Sequence, residues 1–246
     1  MIMERIELAD GVYITSDRCV WYESKNVIIL ADLHLGLEAS LKDEGFSLPR
    51  FQKDEILDKL STIFDKYDPE TVIVNGDFKH EFGKNRREEL IEVVEVIDFI
   101  RDHSELIIIR GNHDNFLKTI TEKRGIVFYE DFMVLDDITI SHGHNSITEH
   151  QFLIIGHEHP SIKIRDDMGA FIKIPCFLYH RSKNILILPA FSPLSEGRDM
   201  ISARSFISDI LKDVNIEEFY TYAVTDSGLM DFQTVKNIRK AYPDML

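Results

Sequence analysis

The sequence predicts an α/β fold of two packed mixed β-sheets flanked by helices. Three observations predict it. The first half alternates short apolar runs with helical periodicities in the order β-α-β-α-β. The second half is a close succession of strand-like runs with few helical intervals. Most of these runs are apolar at nearly every position, as strands buried on both faces are, so layers of helix are expected over two packed sheets. A chain of 246 residues can bury a sizeable core in one large domain, with or without a small appendage.

Residues 5–15 and 18–23 alternate and carry Val, Ile, Tyr and Trp, which predicts a hairpin turning at Ser16-Asp17. The apolar run 26–31 is the first buried strand. A helix follows Pro49, where Leu57, Leu60, Phe64 and Tyr67 fall at spacings of three and four. Residues 71–75 form the second strand. The next helix carries a stripe of Leu90, Val94 and Ile97, and Glu88, Glu89 and Glu92 place acids in its first turns, where they suit the helix dipole. Residues 106–110 are the third strand. Strand-like runs follow at 126–128, 132–141, 152–156, 162–164, 171–174 and 184–189. A late helix is expected at 203–211, with Phe206, Ile207, Ile210 and Leu211 on one face, and a hairpin at 219–232 around Asp226-Ser227-Gly228.

Composition narrows the function classes. With 44% hydrophobic and 29% charged residues the chain is neither disordered nor a coiled coil. Its apolar runs are too short to cross a bilayer, and the start lacks a basic segment followed by an apolar stretch, so no membrane association or secretion is expected and the cytoplasm is the expected location. Two cysteines, Cys19 and Cys176, allow at most one bridge and read as a reduced pair. Lys and Arg number 28 against 43 Asp and Glu, a net charge of −15, which argues against coating nucleic acid with a broad basic face.

Five of the short strands end in dense polar clusters: Asp32-Leu33-His34, Gly76-Asp77-Phe78-Lys79-His80, Gly111-Asn112-His113-Asp114, His142-Gly143-His144 and Gly156-His157-Glu158-His159. Loops at the carboxyl ends of strands in such sheets converge on one crevice, so the clusters aim metal-ligating atoms at one place. In Asp32/His34 and His157/His159, residues i and i+2 of an extended segment project to the same side and can bite one site. Imidazole with carboxylate and amide oxygen suits Mn, Fe, Zn or Ni, and the absence of thiolates argues against a structural zinc knot. The ligands are too many for one ion, and two ions sharing a bridging carboxylate is the economical arrangement.

These residues resemble the calcineurin-like metallophosphoesterases, whose pattern of D-x-H, GD, GNH(D/E), H and GHxH is present here in order. Within that superfamily the stretches 31–52 and 75–83 look most like the archaeal phosphoesterases related to the SbcD nuclease, relatives of bacterial proteins associated with DNA ligase. The resemblance covers roughly residues 1–200. It implies a four-layer α-β-β-α sandwich, with 1–200 as the core and 201–246 as a C-terminal extension packed on it. It further implies that Asp32, His34 and His159 bind one metal and Asn112, His142 and His157 the other, with Asp77 bridging. His113 would contact the phosphate and protonate the leaving oxygen, with Asp114 orienting it. His80 matches a position that holds substrate phosphate, although a solvent-facing loop histidine also accounts for it. His144 either faces the substrate or supports a ligand. The stretch after the last motif is shorter than the large DNA-binding cap of the true nucleases, so that cap and processive action on long duplexes are not expected.

The expected cofactors are two divalent ions, Mn²⁺ first, with Fe, Zn or Ni as alternatives. Two ions with Asp32 and Asp77 leave the ligand set at about +2, which a bridging hydroxide and a phosphodiester monoanion neutralise. The expected function is a phosphodiesterase acting on nucleotides or nucleic-acid ends by in-line attack of that hydroxide. The competing readings are a phosphomonoesterase and a non-catalytic scaffold. No oligomer is indicated by the sequence. His103, His150 and His180 read as ordinary residues. The basic group 84–87 reads as a substrate-steering patch or a solvated face, and Phe191-Ser192-Pro193 as a pocket wall or a plain loop.

Overall fold

The computed structural model describes residues 2–46, 49–83, 86–165 and 170–243. The chain opens with β1 (Ile2–Met3), which belongs to the second sheet, and then lays down the first sheet strand by strand. β2 (Arg5–Ala9), β3 (Val12–Thr15), β4 (Val20–Tyr22) and β5 (Val27–Leu30) form an antiparallel meander. β6 (Thr71–Asn75), β7 (Glu105–Ile109) and β8 (Val127–Tyr129) continue it in parallel. Three connections of this parallel half carry helices: α1 (Leu37–Asp43) with α2 (Gln52–Tyr67), then α3 (Arg87–Arg101), then α4 (Leu117–Arg124).

The second sheet begins with the hairpin β9 (Phe132–Leu135) and β10 (Ile138–Ser141). β11 (Phe152–Ile155) runs parallel to β10, then β12 (Pro160–Arg165) and β13 (Phe171–His180) form a second hairpin. β14 (Ile185–Ile187) inserts between β11 and β13, β15 (Arg198–Asp199) flanks β12, and β16 (Tyr220–Thr225) with β17 (Gly228–Thr234) extends the sheet to β1. α5 (Val235–Ala241) closes the described chain. Both sheets are mixed, as expected.

Period-2 alternation sorts the central strands into three layers of core. Ile28 and Leu30, Val72 and Val74, and Leu106 and Ile108 point to α2 and α3, where Ile56, Leu60, Val93 and Ile97 meet them. The alternate residues Val27, Ile29, Ile73 and Ile109 face the second sheet and pack on Ile140, Ile154, Phe177 and Leu186. The outer face of the second sheet, with Leu153, Ile155, Leu178 and Ile187, is covered by Met200, Ile201, Phe206, Leu211, Phe219 and Ile238. That fourth layer is thus mainly irregular chain and α5.

Several expectations change in detail. The opening segment is split by an Asp10-Gly11 turn that pairs Ala9 with Val12, so residues 5–15 make two strands. Residues 132–141 are likewise two strands, turned at Asp136-Asp137. The expected helix at 203–211 is absent apart from a single 3-10 turn, Asp209–Leu211. There the Ile207 and Ser208 N–H groups donate to Glu158 Oε1 at 2.7 and 2.6 Å instead of to the preceding turn, and Ile207 is exposed. The buried face of α3 is Val93, Val96, Ile97 and Ile100, with Leu90 and Val94 half-buried, because Glu89 is turned inward. Of the basic group 84–87, Lys84 and Asn85 lie outside the described residues. Cys19 and Cys176 are free and buried in different core layers. Among the described residues no helix is long and apolar enough to cross a membrane.

Candidate metal centre

The ladder β5/β6 runs past the strand ends and carries the first two clusters with it. Asp32 N donates to Gly76 O, His34 N to Asp77 O and Leu35 N to Phe78 O, so the first loop lies alongside the second. The third loop leaves β7 beside them, and its His113 N–H donates to Asp77 Oδ1 at 2.9 Å. The fourth and fifth leave β10 and β11 of the opposite sheet. The two sheets are tied here by Asn75, whose Nδ2 donates to Ser141 O at 2.8 Å while its carbonyl accepts from His142 Nδ1 at 3.0 Å.

The side chains meet at short range. Asp32, His34, Asp77 and His159 form one group in which a metal ion could be held, and Asp77, His142 and His157 form a second. Asp77 belongs to both. His159 Nε2 lies 3.1 Å from Asp32 Oδ1 and 3.2 Å from His34 Nε2. His142 Nε2 lies 3.3 Å from Asp77 Oδ2 and 3.2 Å from Asn112 Oδ1, which brings Asn112 to the second group. A third group, His34, His80 and His113, adjoins the first.

The backbone is distorted to achieve this. Asp32, His34, Asp77, His157 and His159 all have positive φ, between 42° and 66°. Left-handed backbone costs a non-glycine residue about 1 kcal/mol or more, and such outliers cluster where function over-determines the local structure. Close approach also leaves no room at Gly111, where a Cβ would stand 2.1 Å from Asp77 Oδ1.

Electrostatics fit divalent cations. Asp32 Oδ1 is buried with no hydrogen bond, the state of an acceptor awaiting a partner. Burial opposes ionisation of Asp77, yet the imidazoles of His142, His34 and His113 hold its carboxyl well below the ordinary range. Burial also opposes the charge on His142, and Asp77 and Asp32 overcome it and push that imidazole up to about 9. By contrast, burial drives His34 down to about 3 and His157 to about 4, which leaves their nitrogen lone pairs available. Neutral imidazole and ionised carboxylate are the forms that ligate a metal, so an ion at the second group would displace the proton that the carboxylates hold on His142.

The other expected residues sit at the edge of this centre. His113 turns Nε2 towards Asp77 Oδ2 at 4.0 Å, and its Nδ1–H donates to the His80 carbonyl. Asp114 does not orient that ring. It is buried and accepts the N–H groups of Phe78, Lys79 and Gly111 at 2.9, 3.3 and 2.8 Å, lacing the second loop to the third. Burial and the nearby Asp77 charge raise Asp114 to about 6. The His80 ring stacks 5.5 Å from His113, and burial lowers it to about 4. His144 lies outside the three groups, 5.4 Å from the His142 ring, with its Nδ1 buried and unpartnered.

Residues beyond the motifs complete the surroundings. Glu158, between two candidate ligands, binds the N–H groups of Ile207 and Ser208 and the guanidinium of Arg198. Ser195 Oγ meets His159 Nδ1 at 3.1 Å. Gln52 Nε2 donates to His34 O and Ser192 Oγ, and Glu38 Oε1 receives the Phe51 and Gln52 N–H groups at the start of α2. The open cleft of about 410 Å³ is lined by five of the candidate ligands, His34, Asp77, Asn112, His157 and His159, with Glu196, Gly197 and Arg198. Glu158 and Gln52 fall inside the stretches that carry the resemblance. Arg198 and Ser195 have no local sequence signal.

Comparison with known proteins agrees with this geometry. The sequence model of the calcineurin-like phosphoesterases matches residues 25–217. Among solved structures, the nuclease MPE of Pseudomonas putida shares the fold with a TM-score of 0.67 at 19% identity, over 93% of this chain and 98% of that one. A protein of unknown function from Aquifex aeolicus, AQ665, aligns at 19% identity and a TM-score of 0.38 over 54% and 78% of the two chains. The phosphoesterase YfcE of E. coli aligns at 14% identity and 0.38 over 85% and 98%. At 19% identity the likeness to nuclease MPE is one of fold. No curated protein matches the sequence.

Proposed function

The chain belongs to the calcineurin-like phosphoesterases, and on that footing we propose that it is a two-metal phosphodiesterase acting on nucleotides or nucleic-acid ends. The family hydrolyses phosphoesters with divalent metals. The observation that carries the finer reading is Asp77, one carboxylate shared by two adjoining ligand groups. In this reading Asp32, His34 and His159 hold one ion, Asn112, His142 and His157 the other, and Asp77 touches both. Mn²⁺ is the first choice for a site of oxygen and imidazole donors without thiolate. When bound, the ions would supply Lewis-acid activation of water and a clamp on the phosphoryl oxygens.

The protein's own part is positioning and proton transfer. His113, its Nδ1–H engaged by the His80 carbonyl, presents Nε2 to the cleft and donates the proton to the leaving alkoxide when the ring is cationic. In this reading His80 would hold a nonbridging phosphate oxygen, and His144 would face the substrate or support a neighbouring ligand. The likeness of stretches 31–52 and 75–83 to SbcD-related phosphoesterases, together with a nuclease on the same fold, supports a nucleic-acid substrate. Parallel assays with bis- and mono-p-nitrophenyl phosphate in Mn²⁺ test the assignment. Preferential hydrolysis of the diester is expected, and a clear preference for the monoester would overturn it.

A further inference from the structure

We propose that single-stranded nucleic acid leaves the metal cleft along a basic groove ending in a pocket formed by Arg18 and Lys59, so that the substrate is a polynucleotide gripped on several phosphates. The inference rests on the phosphodiesterase reading and deepens it to a substrate class.

Shared walls make the path continuous. Glu196 lines the metal cleft and also an adjoining groove walled by Arg18, Lys163, Phe171 and Lys173. Arg18 in turn lines a smaller pocket with Ser16, Lys59 and Thr62. Four cations thus wall these connected clefts on a chain whose net charge is −15. Among the described residues that line the groove and its end pocket, the two acids are already occupied. Glu196 pairs with Lys173 Nζ at 3.0 Å, and Asp17 with Lys66 Nζ at 3.1 Å and Tyr67 Oη at 2.7 Å. The Lys173 pair is largely exposed, so it is weak and open to exchange for a phosphate.

At the far end the acids that act on these cations, Glu55 and Asp226, do so only at a distance. Among the described residues neither Arg18 nor Lys59 forms a salt bridge, and Arg18 Nη1 reaches the Ser192 carbonyl at 3.5 Å. Burial, aided by the neighbouring Arg18 charge, drives Lys59 down to about 8. An anion placed between them would relieve both burial and mutual repulsion. The pocket is coupled to the centre through Ser192, whose N–H donates to the Asp32 carbonyl at 3.1 Å. Midway, the Phe171 ring is 56% exposed with Lys163 Nζ 4.1 Å over it. An exposed aromatic among spaced cations is the pairing that single strands use, bases stacking on rings and phosphates on cations.

Steady-state hydrolysis in Mn²⁺ tests this on bis-p-nitrophenyl phosphate, which ends inside the cleft, and on a single-stranded oligonucleotide of about twelve nucleotides, long enough to span several phosphate contacts. The variants are Arg18→Gln with Lys59→Gln, and separately Lys163→Gln with Phe171→Ala. Each pair should lose about tenfold or more in kcat/KM on the oligonucleotide and stay within about twofold on the small diester. The salt dependence of the Arg18/Lys59 variant should be shallower by about 1.4 in log–log slope, two single-strand phosphate contacts. Unchanged oligonucleotide turnover in both variants overturns the proposal, as does an equal loss on the small diester. Fluorescence anisotropy of the labelled oligonucleotide separates the two readings. If the wild type hydrolyses neither substrate, the phosphodiesterase reading fails. The groove then stands only if wild-type binding is lost in the variants.

Discussion

His113 donates its Nδ1–H to the backbone carbonyl of His80, and that single bond decides which nitrogen faces the cleft. A carbonyl can only accept, so Nε2 is left for the substrate side. Replacing His113 by Ala should lower kcat by about 10²- to 10⁴-fold on an alkoxide-leaving diester, with a smaller loss on p-nitrophenyl esters, whose leaving group needs little protonation. Metal content measured by plasma emission should remain two ions per chain. Loss of metal would show that His113 is a ligand.

Glu89 supports that arrangement from α3. Its Oε1 accepts the Glu81 N–H at 2.7 Å and shares the His80 N–H, at 3.1 Å, with the Leu35 carbonyl. Glu89→Ala strands the Glu81 N–H at a cost of about 1–3 kcal/mol and leaves the His80 N–H only the Leu35 carbonyl, so both stability and kcat should fall. Glu89→Gln keeps an acceptor of the same shape and should recover most of the activity. Equal loss in the two variants, read by thermal melts and kinetics, would mean that charge, and not the hydrogen bonds, is what matters.

Removal of Asp77 should weaken both ions together, since its carboxylate is shared. Isothermal titration of Asp77→Ala with Mn²⁺ is expected to lose high-affinity binding altogether, and a variant still holding one tight ion would refute the shared role. In the wild type, ion at a hundredfold over its Kd stabilises by about 2.7 kcal/mol per site. For a chain of this size that raises Tm by about 5–10 °C over the EDTA-treated protein.

Lys59 gives a pH signature. Its ordinary value of 10.5 is lowered in the folded chain to about 8, so between these values the unfolded state binds more protons. Stability contributed by this group therefore rises with pH across that window and is least below pH 8. Lys59→Gln should stabilise the unliganded protein at pH 7 by about 1 kcal/mol, a figure reduced for partial solvation, and flatten the slope between pH 8 and 10. Denaturant melts across that range would show it, and an unchanged slope would count against the buried-cation account.

The strands and the clustered ligands were legible because both follow from local pattern. Ile28, Ile73 and Ile108 lie in apolar runs too short for helices, and histidines gathered at strand ends mark one crevice. The roles of Asp114 and Glu89 were not legible, since each is defined by backbone N–H groups of another loop, and side-chain type does not name its partner. The helix expected at 203–211 failed for the same reason. Its apolar spacing is real, but Glu158, some fifty residues away, captures the N–H groups that a helix would have used. The helices α1, α4 and α5 are only seven or eight residues long, too short for periodicity to stand out.

Each group that could hold an ion draws on both sheets: Asp32, His34 and Asp77 with His159, and Asp77 with His142 and His157. The centre is therefore a gauge of how the two sheets are seated on one another. A slide of a single ångström between them would pull apart the pairs that cross the sheets, such as Asp32 with His159 and Asp77 with His142, while leaving each sheet intact. Catalytic geometry is then governed by interior residues far from the cleft, such as Ile73, Ile154 and Phe177, whose volumes set the spacing of the sandwich. Ions held there would fasten the sheets together at one rim, like a buckle on a hinge.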